Sequence, residues 1–190
     1  MILCYLYDGM ADFEVTFLLH RLRNQGHRTI VGIAETLEPV TAQSGLTYYP
    51  DKRIQDILDI SDVEALLMPG GPVNEEQNAI CPLARQLADA GKLIGAICFA
   101  PQFLGRAGIL ADHTFTTSCS AEKVRQAGQK DPYPWENYVA ARVHQDRNIL
   151  TAQGYAFVDF AKAVCRKLHV FSEEQEEYGM LDVVKNDAVL

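Results

Sequence analysis

A chain of 190 residues, 48% hydrophobic and 22% charged, is long enough to bury one sizeable core and too short to require several, so one domain is expected over residues 1–190. Its formal net charge of −8, with no Lys/Arg cluster, argues against nucleic acid and anionic membranes as partners. Five widely spaced cysteines without a CxxC pair or a Cys/His grouping suggest neither a disulfide framework nor a metal site. A first stretch that meets Asp8 after seven residues, with no basic segment before it, reads as neither export signal nor span.

Along the chain, four short apolar runs have the pattern of strands buried on both faces: Ile2 to Tyr7, Thr29 to Ala34, Ala65 to Met68 and Leu93 to Ile97. Helix-like stretches alternate with them. Val15, Leu18, Leu19 and Leu22 share one helical face, as do Phe157, Phe160, Ala161, Val164, Cys165 and Leu168 near the other end. The alternation predicts an α/β fold with helices on both faces of a sheet and functional groups at the carboxyl ends of its strands. Past the prolines between Asp131 and Trp135, Tyr138 to Val143 and Ile149 to Ala152 read as a strand pair, with His144 an exposed hairpin residue between them. From Ser172 onward, four glutamates followed by apolar Met180, Leu181, Val183 and Val184 read as the solvated start of a helix.

Three post-strand turns carry the chemistry. Cys98 falls where the fourth apolar run meets Pro101, a residue suited to the first turn of a helix. Small residues two before and two after it, Ala96 and Ala100, satisfy the steric demand of a nucleophile elbow. A helix N-terminus at that point would favour thiolate and predicts a lowered thiol pKa. The turn Met68-Pro69-Gly70-Gly71-Pro72 lets backbone approach a ligand closely, and the N–H groups of Gly71 and Phe99 would form an oxyanion hole. The third turn places Glu14 at the start of the first helix. By spacing alone it is either a solvated residue complementing the helix dipole or a partner of the Cys98 sulfur. In the second case the two would share one proton, because like charges about 4 Å apart repel by roughly 4 kcal/mol at an effective dielectric near 20. Cys4 and Cys165 read as buried, inert thiols, whereas Cys119, after a strand-like run, is a pocket candidate.

Taken together, Asp12-Phe13-Glu14, Met68-Pro69-Gly70-Gly71 and Gly95-Ala96-Ile97-Cys98-Phe99-Ala100-Pro101 resemble, in order and spacing, the signature of the ThiJ/PfpI (DJ-one) superfamily, a class I glutamine amidotransferase-like group. The resemblance covers roughly residues 1 to 170. It implies a flavodoxin-like three-layer sandwich with a mostly parallel sheet, usually a homodimer, and an elbow cysteine bonded to a protonated Glu14, beside which Gly70 is a pocket candidate; from the N-terminal stretch a soluble cytoplasmic protein is expected, and no cofactor is expected. Two departures bear on activity. Phe99 stands where a histidine follows the cysteine in peptidase members, and Trp135 aligns where another histidine contributes in the DJ-one branch, which makes it a candidate pocket wall. The expectation is a stress-related, oxidation-sensitive protein; the alternative is a cysteine-dependent glyoxalase or deglycase acting on small carbonyls, ahead of a peptidase or amidotransferase.

Overall fold

In a computed structural model, which describes residues 1–73 and 78–171, a seven-stranded sheet runs through the molecule. The expectation for the tail from Ser172 falls outside the described residues. The elements in chain order are β1 (Ile2–Tyr5), α1 (Phe13–Asn24), β2 (Ile30–Ala34), β3 (Val40–Thr41), β4 (Thr47–Tyr48), β5 (Lys52–Arg53), β6 (Ala65–Met68), α2 (Ile80–Asp89), β7 (Leu93–Ile97), α3 (Pro101–Arg106), α4 (Ala121–Gln126), β8 (Val143–Asp146), β9 (Ile149–Ala152) and α5 (Phe157–Lys167). The sheet order is β5-β2-β1-β6-β7-β9-β8, parallel except for β8.

The four runs read as buried strands are those strands. Ile2, Leu3, Ala65, Leu66, Leu67, Ile94 and Ala96 are wholly inaccessible, as strands covered on both faces must be. From β1 the chain moves outward to β2, then returns past β1 to β6 and continues in the opposite direction to β7. Right-handed crossovers therefore put α1 and α2 on opposite faces. Helices α1 and α5 pack together on one side and α2 and α3 on the other, giving the three-layer, flavodoxin-like sandwich. The direction reverses between β1 and β6, so a crevice opens at the carboxyl ends of the central strands.

The late strand pair differs from the expectation. Its first member is Val143–Asp146, not Tyr138 to Val143, with Val143 opposite Ala152 and Asp146 opposite Ile149. Register decides this. A two-residue turn at Arg147-Asn148, with Arg147 at φ 56°, closes the hairpin directly onto Ile149. Tyr138 instead packs edge-on against Phe115 (centroids 6.0 Å apart), and those two residues form an isolated parallel bridge. His144 accordingly lies within β8, half-buried, with Nε2 2.8 Å from Thr114 Oγ1.

Candidate functional site

Loops from four strands converge at the crevice. Residue 98 follows β7 and is forced into the left-handed region, φ 61°, which a non-glycine residue adopts only when its surroundings over-determine it. Here the peptide is clamped on both sides. The Cys98 N–H donates to the Ala152 carbonyl (2.8 Å), and the Cys98 carbonyl accepts from Thr117 Oγ1 (2.6 Å) and the Ser118 N–H (3.0 Å). Ala96 and Ala100 are fully buried on either side of this bend, as the elbow requires.

Glu14 is 2% exposed although it lies in the first turn of α1, so the solvated alternative does not hold. Its Oε2 accepts the Gly70 N–H at 2.7 Å, and the carboxyl shares a hydrogen bond with the Cys98 sulfur. Two glycines make room for this pair. A Cβ on Gly70 would lie 2.5 Å from Cys98 Cβ and 2.7 Å from Glu14 Oε2; one on Gly154, just after β9, would lie 2.7 Å from Glu14 Oε1 and 3.0 Å from the sulfur. The pair is thus walled by backbone from above β6 and β9.

The electrostatics follow from that enclosure. Burial raises the Glu14 pKa against the stabilising Gly70 N–H. Burial first, and then the adjoining Glu14 carboxylate, push the Cys98 thiol up to about 12. This reverses the expected lowering. The supposed source of positive potential, α3, has only six residues, and desolvation beside a carboxylate outweighs it. The Ser118 hydroxyl and the Phe99 N–H act in the other direction by hydrogen-bonding the sulfur. The pair therefore titrates as a unit: its first proton leaves a monoanion, and the second is held to about 12.

Of the residues singled out from sequence, Cys98, Glu14 and Gly70 come together. Phe99 contributes its N–H to the sulfur itself, and its ring lies under the Lys123 ammonium at 4.9 Å. Gly71 is one residue further off, where a Cβ would sit 2.7 Å from the Tyr7 hydroxyl. Trp135 belongs to an aromatic cluster with Tyr133 (4.9 Å) and donates Nε1–H to Asp131 at 2.7 Å. That cluster reaches the elbow through Tyr133, whose hydroxyl donates to the Phe99 carbonyl at 3.1 Å. Cys119 is 7% exposed, raised by burial, and its S–H points to the Ser120 carbonyl. It is the preceding residue, Ser118, that meets Cys98.

Ser118 is the residue that sequence reasoning missed. Its hydroxyl accepts the Gly154 N–H (2.8 Å) and has two acceptors for its single proton, the Cys98 sulfur and Gln153 Oε1 (3.1 Å). Its place in Thr116-Thr117-Ser118-Cys119, after a strand-like run and directly before the candidate cysteine, is the signal the sequence carries for it.

A model of the DJ-1/PfpI family matches residues 1–167. The chain belongs to the DJ-1/PfpI family. Among its relatives, deglycase TK1284 of Thermococcus kodakarensis is 29% identical over 126 residues, 64% of this chain and 74% of that one. The protein called uncharacterized protease YoaZ of Bacillus subtilis is 26% identical over 188 residues, 90% of this chain and 84% of its own. The crystal structure of the DJ-1 superfamily protein Atu0886 of Agrobacterium tumefaciens superposes with a TM-score of 0.82 at 27% identity, covering 99% of this chain and 98% of that one. Membership in this family agrees with a fold in which the thiol, the carboxyl and the Gly70 turn meet at one crevice. Among the described residues no helix is long and apolar enough to cross a membrane.

Proposed function

We propose that this DJ-1/PfpI family member is a stress-related protein whose Cys98 thiol captures small electrophiles, reactive dicarbonyls foremost. The hydrogen bond between the Cys98 sulfur and buried Glu14 carries the reading. As the sulfur bonds to a carbonyl carbon, the C=O π electrons move to oxygen. The proton the pair holds passes through the Glu14 carboxyl to that oxygen and leaves a neutral hemithioacetal. Ser118 and the Phe99 N–H stabilise charge on the sulfur before addition, and the Gly71 and Phe99 N–H groups are assigned to the developing oxyanion. Deglycase or glyoxalase chemistry continues from this adduct, in keeping with the name of the Thermococcus relative.

A second reading, oxidation sensing, is favoured by a specific observation: Ser118, Phe99 N–H and Glu14 surround the sulfur with hydrogen-bonding groups able to hold the oxygens of a sulfinate. Both readings place the protein in the reducing cytoplasm, where its five cysteines stay free, and as a homodimer. Peptide hydrolysis is not part of the proposal, because amine departure needs a proton donor of the kind histidine supplies and Phe99 occupies that position.

Methylglyoxal consumption by the purified protein tests the proposal. Slow turnover, below the roughly 10 per second typical of enzymes, that is lost in Cys98→Ala and reduced in Glu14→Gln is expected. Turnover unaffected by Cys98→Ala would overturn it.

A further inference from the structure

Ser118 has one hydroxyl proton and two acceptors for it, and the residues around it decide which acceptor is served. The oxygen itself is fixed from two sides. Oγ accepts the Gly154 N–H at 2.8 Å, while the Ser118 peptide N–H donates to the Cys98 carbonyl at 3.0 Å. A Cβ on Gly154 would lie 3.0 Å from the Cys98 sulfur, so this anchoring sets the hydroxyl beside the thiol. Only the direction of its O–H is left to change.

Gln153, half-buried just after β9, supplies the competing acceptor, and its amide cannot turn over. Its Nε2 donates to the Thr117 carbonyl at 2.8 Å, which can only accept, and to Thr116 Oγ1 at 2.9 Å. Thr116 Oγ1 donates its own proton to the Ala141 carbonyl at 2.8 Å, so toward the amide it too can only accept. Both amide hydrogens are thereby committed, and Oε1 faces the Ser118 hydroxyl at 3.1 Å as an acceptor. The Gln153 peptide N–H, bonded to the Arg142 carbonyl at 2.9 Å, holds the residue from the backbone as well.

We infer that Gln153 is a positioning residue for the Cys98 site: it receives the Ser118 hydrogen bond while the sulfur is protonated, and the hydroxyl turns to the sulfur when that becomes a thiolate. The inference rests on the reading of Cys98 as the nucleophile. No proton changes owner in this turn, which is a rotation about the Cβ–Oγ bond. Its consequence has a sign. A buried hydroxyl left without an acceptor is costly, so Gln153 stabilises the thiol form, whereas donation from Ser118 to the sulfur stabilises the thiolate. The other titratable or charged groups near the sulfur are Glu14 from α1, the Tyr7 hydroxyl after β1 and the Lys123 ammonium of α4, which donates to the Ser118 carbonyl at 3.3 Å. Among the described residues the Gln153 amide bonds to none of them, so a change at 153 reaches the sulfur through Ser118.

Iodoacetamide labelling of Cys98 against pH, with peptide mapping, tests this on the full chain in the parent, Gln153→Met, Ser118→Ala and the double variant. Gln153→Met, close to the parent in length but without the acceptor, is expected to lower the midpoint of the first rise in labelling by about 0.5–1 pH unit, the worth of one hydrogen bond. Ser118→Ala is expected to raise it by about 1–2 units, as loss of a bond to a charged group does. The double variant is expected to match Ser118→Ala, because the two residues act in series. Gln153→Leu, of a different shape, is expected to shift as Gln153→Met does, and circular dichroism checks that each variant is folded. A midpoint unmoved or raised in both Gln153 variants, or a fall that persists in the double variant, would overturn the assignment while leaving Cys98 as the nucleophile. A parent in which Cys98 is not labelled would overturn the reading beneath it as well.

Discussion

Residue 98 combines a nucleophile with a backbone conformation that costs on the order of 1–3 kcal/mol, and the hydrogen bonds of its peptide to Ala152, Thr117 and Ser118 hold it there. Because its thiol is half-buried whereas Cys4 and Cys165 are at most 1% exposed, limited peroxide is expected to add oxygen at Cys98 first, as read by peptide mass mapping. Oxidation of Cys4 or Cys165 ahead of it would contradict the assignment. The glycines beside the pair make a sharper prediction. Gly154→Ala places a methyl group 2.7 Å from Glu14 Oε1, so the carboxyl must move off the sulfur. Cys98-dependent methylglyoxal turnover is expected to fall by about 10-fold or more, the usual worth of a positioned acid or base, with the far-ultraviolet dichroism unchanged. Parental turnover in that variant would show that contact with Glu14 is dispensable. Cys98, Glu14 and Gly70 were legible in the sequence because elbows and glycine turns leave small-residue signatures. The sign of the thiol's shift was not, since it depends on how completely the pair is buried, and neither was Ser118, which reaches the sulfur across 20 residues of chain.

At the scale of elements, the start of α1 is fastened to the β3–β4 hairpin through one carboxylate. Asp12 Oδ2 accepts the hydroxyls of Ser44 (2.6 Å) and Tyr48 (2.8 Å), and although burial works the other way, these bonds keep the Asp12 pKa low. Asp12→Ala removes the acceptor of both and is expected to destabilise the fold by about 1.5–3 kcal/mol, the range for bonds to a charged group, measured by urea denaturation. The contribution is present above the ordinary aspartate range and is lost as pH falls through the lowered value in the folded state. A loss no larger than that of an exposed alanine substitution would show that the hairpin is held by other contacts. The four buried parallel strands were readable as continuous apolar runs. The short β3, β4 and β5 were not, because two-residue strands carry no periodicity, and β8 was misplaced because its polar edge residues His144 and Gln145 look like loop.

Over the whole molecule, the sheet reverses direction between β1 and β6, and the site draws its parts from loops after β1, β6, β7 and β9. The same burial that builds the site gives the fold an alkaline weakness. Cys4, wholly enclosed, is pushed up to about 12 by desolvation, as Cys98 is by burial and Glu14. A raised thiol keeps its proton in the folded chain while the unfolded chain releases it. Stability is therefore full below the unfolded value of about 8.5 and declines as pH rises toward 12, by up to roughly 1.4 kcal/mol per pH unit for a fully buried thiol. Urea midpoints at pH 8 and 10.5 are expected to differ less in Cys4→Val than in the parent. An equal difference in the two would remove Cys4 as a contributor.

The central claim, that Cys98 and Glu14 share one proton and act as a pair, is tested most directly by the rate of iodoacetamide labelling at Cys98 as a function of pH, followed by peptide mapping, in the parent and in Glu14→Gln. The parent is expected to label in two waves, the first leaving the monoanion and the second still rising toward about 12. In Glu14→Gln, where the amide cannot hold or release the shared proton, a single wave is expected. Superimposable profiles in the two proteins would contradict the account.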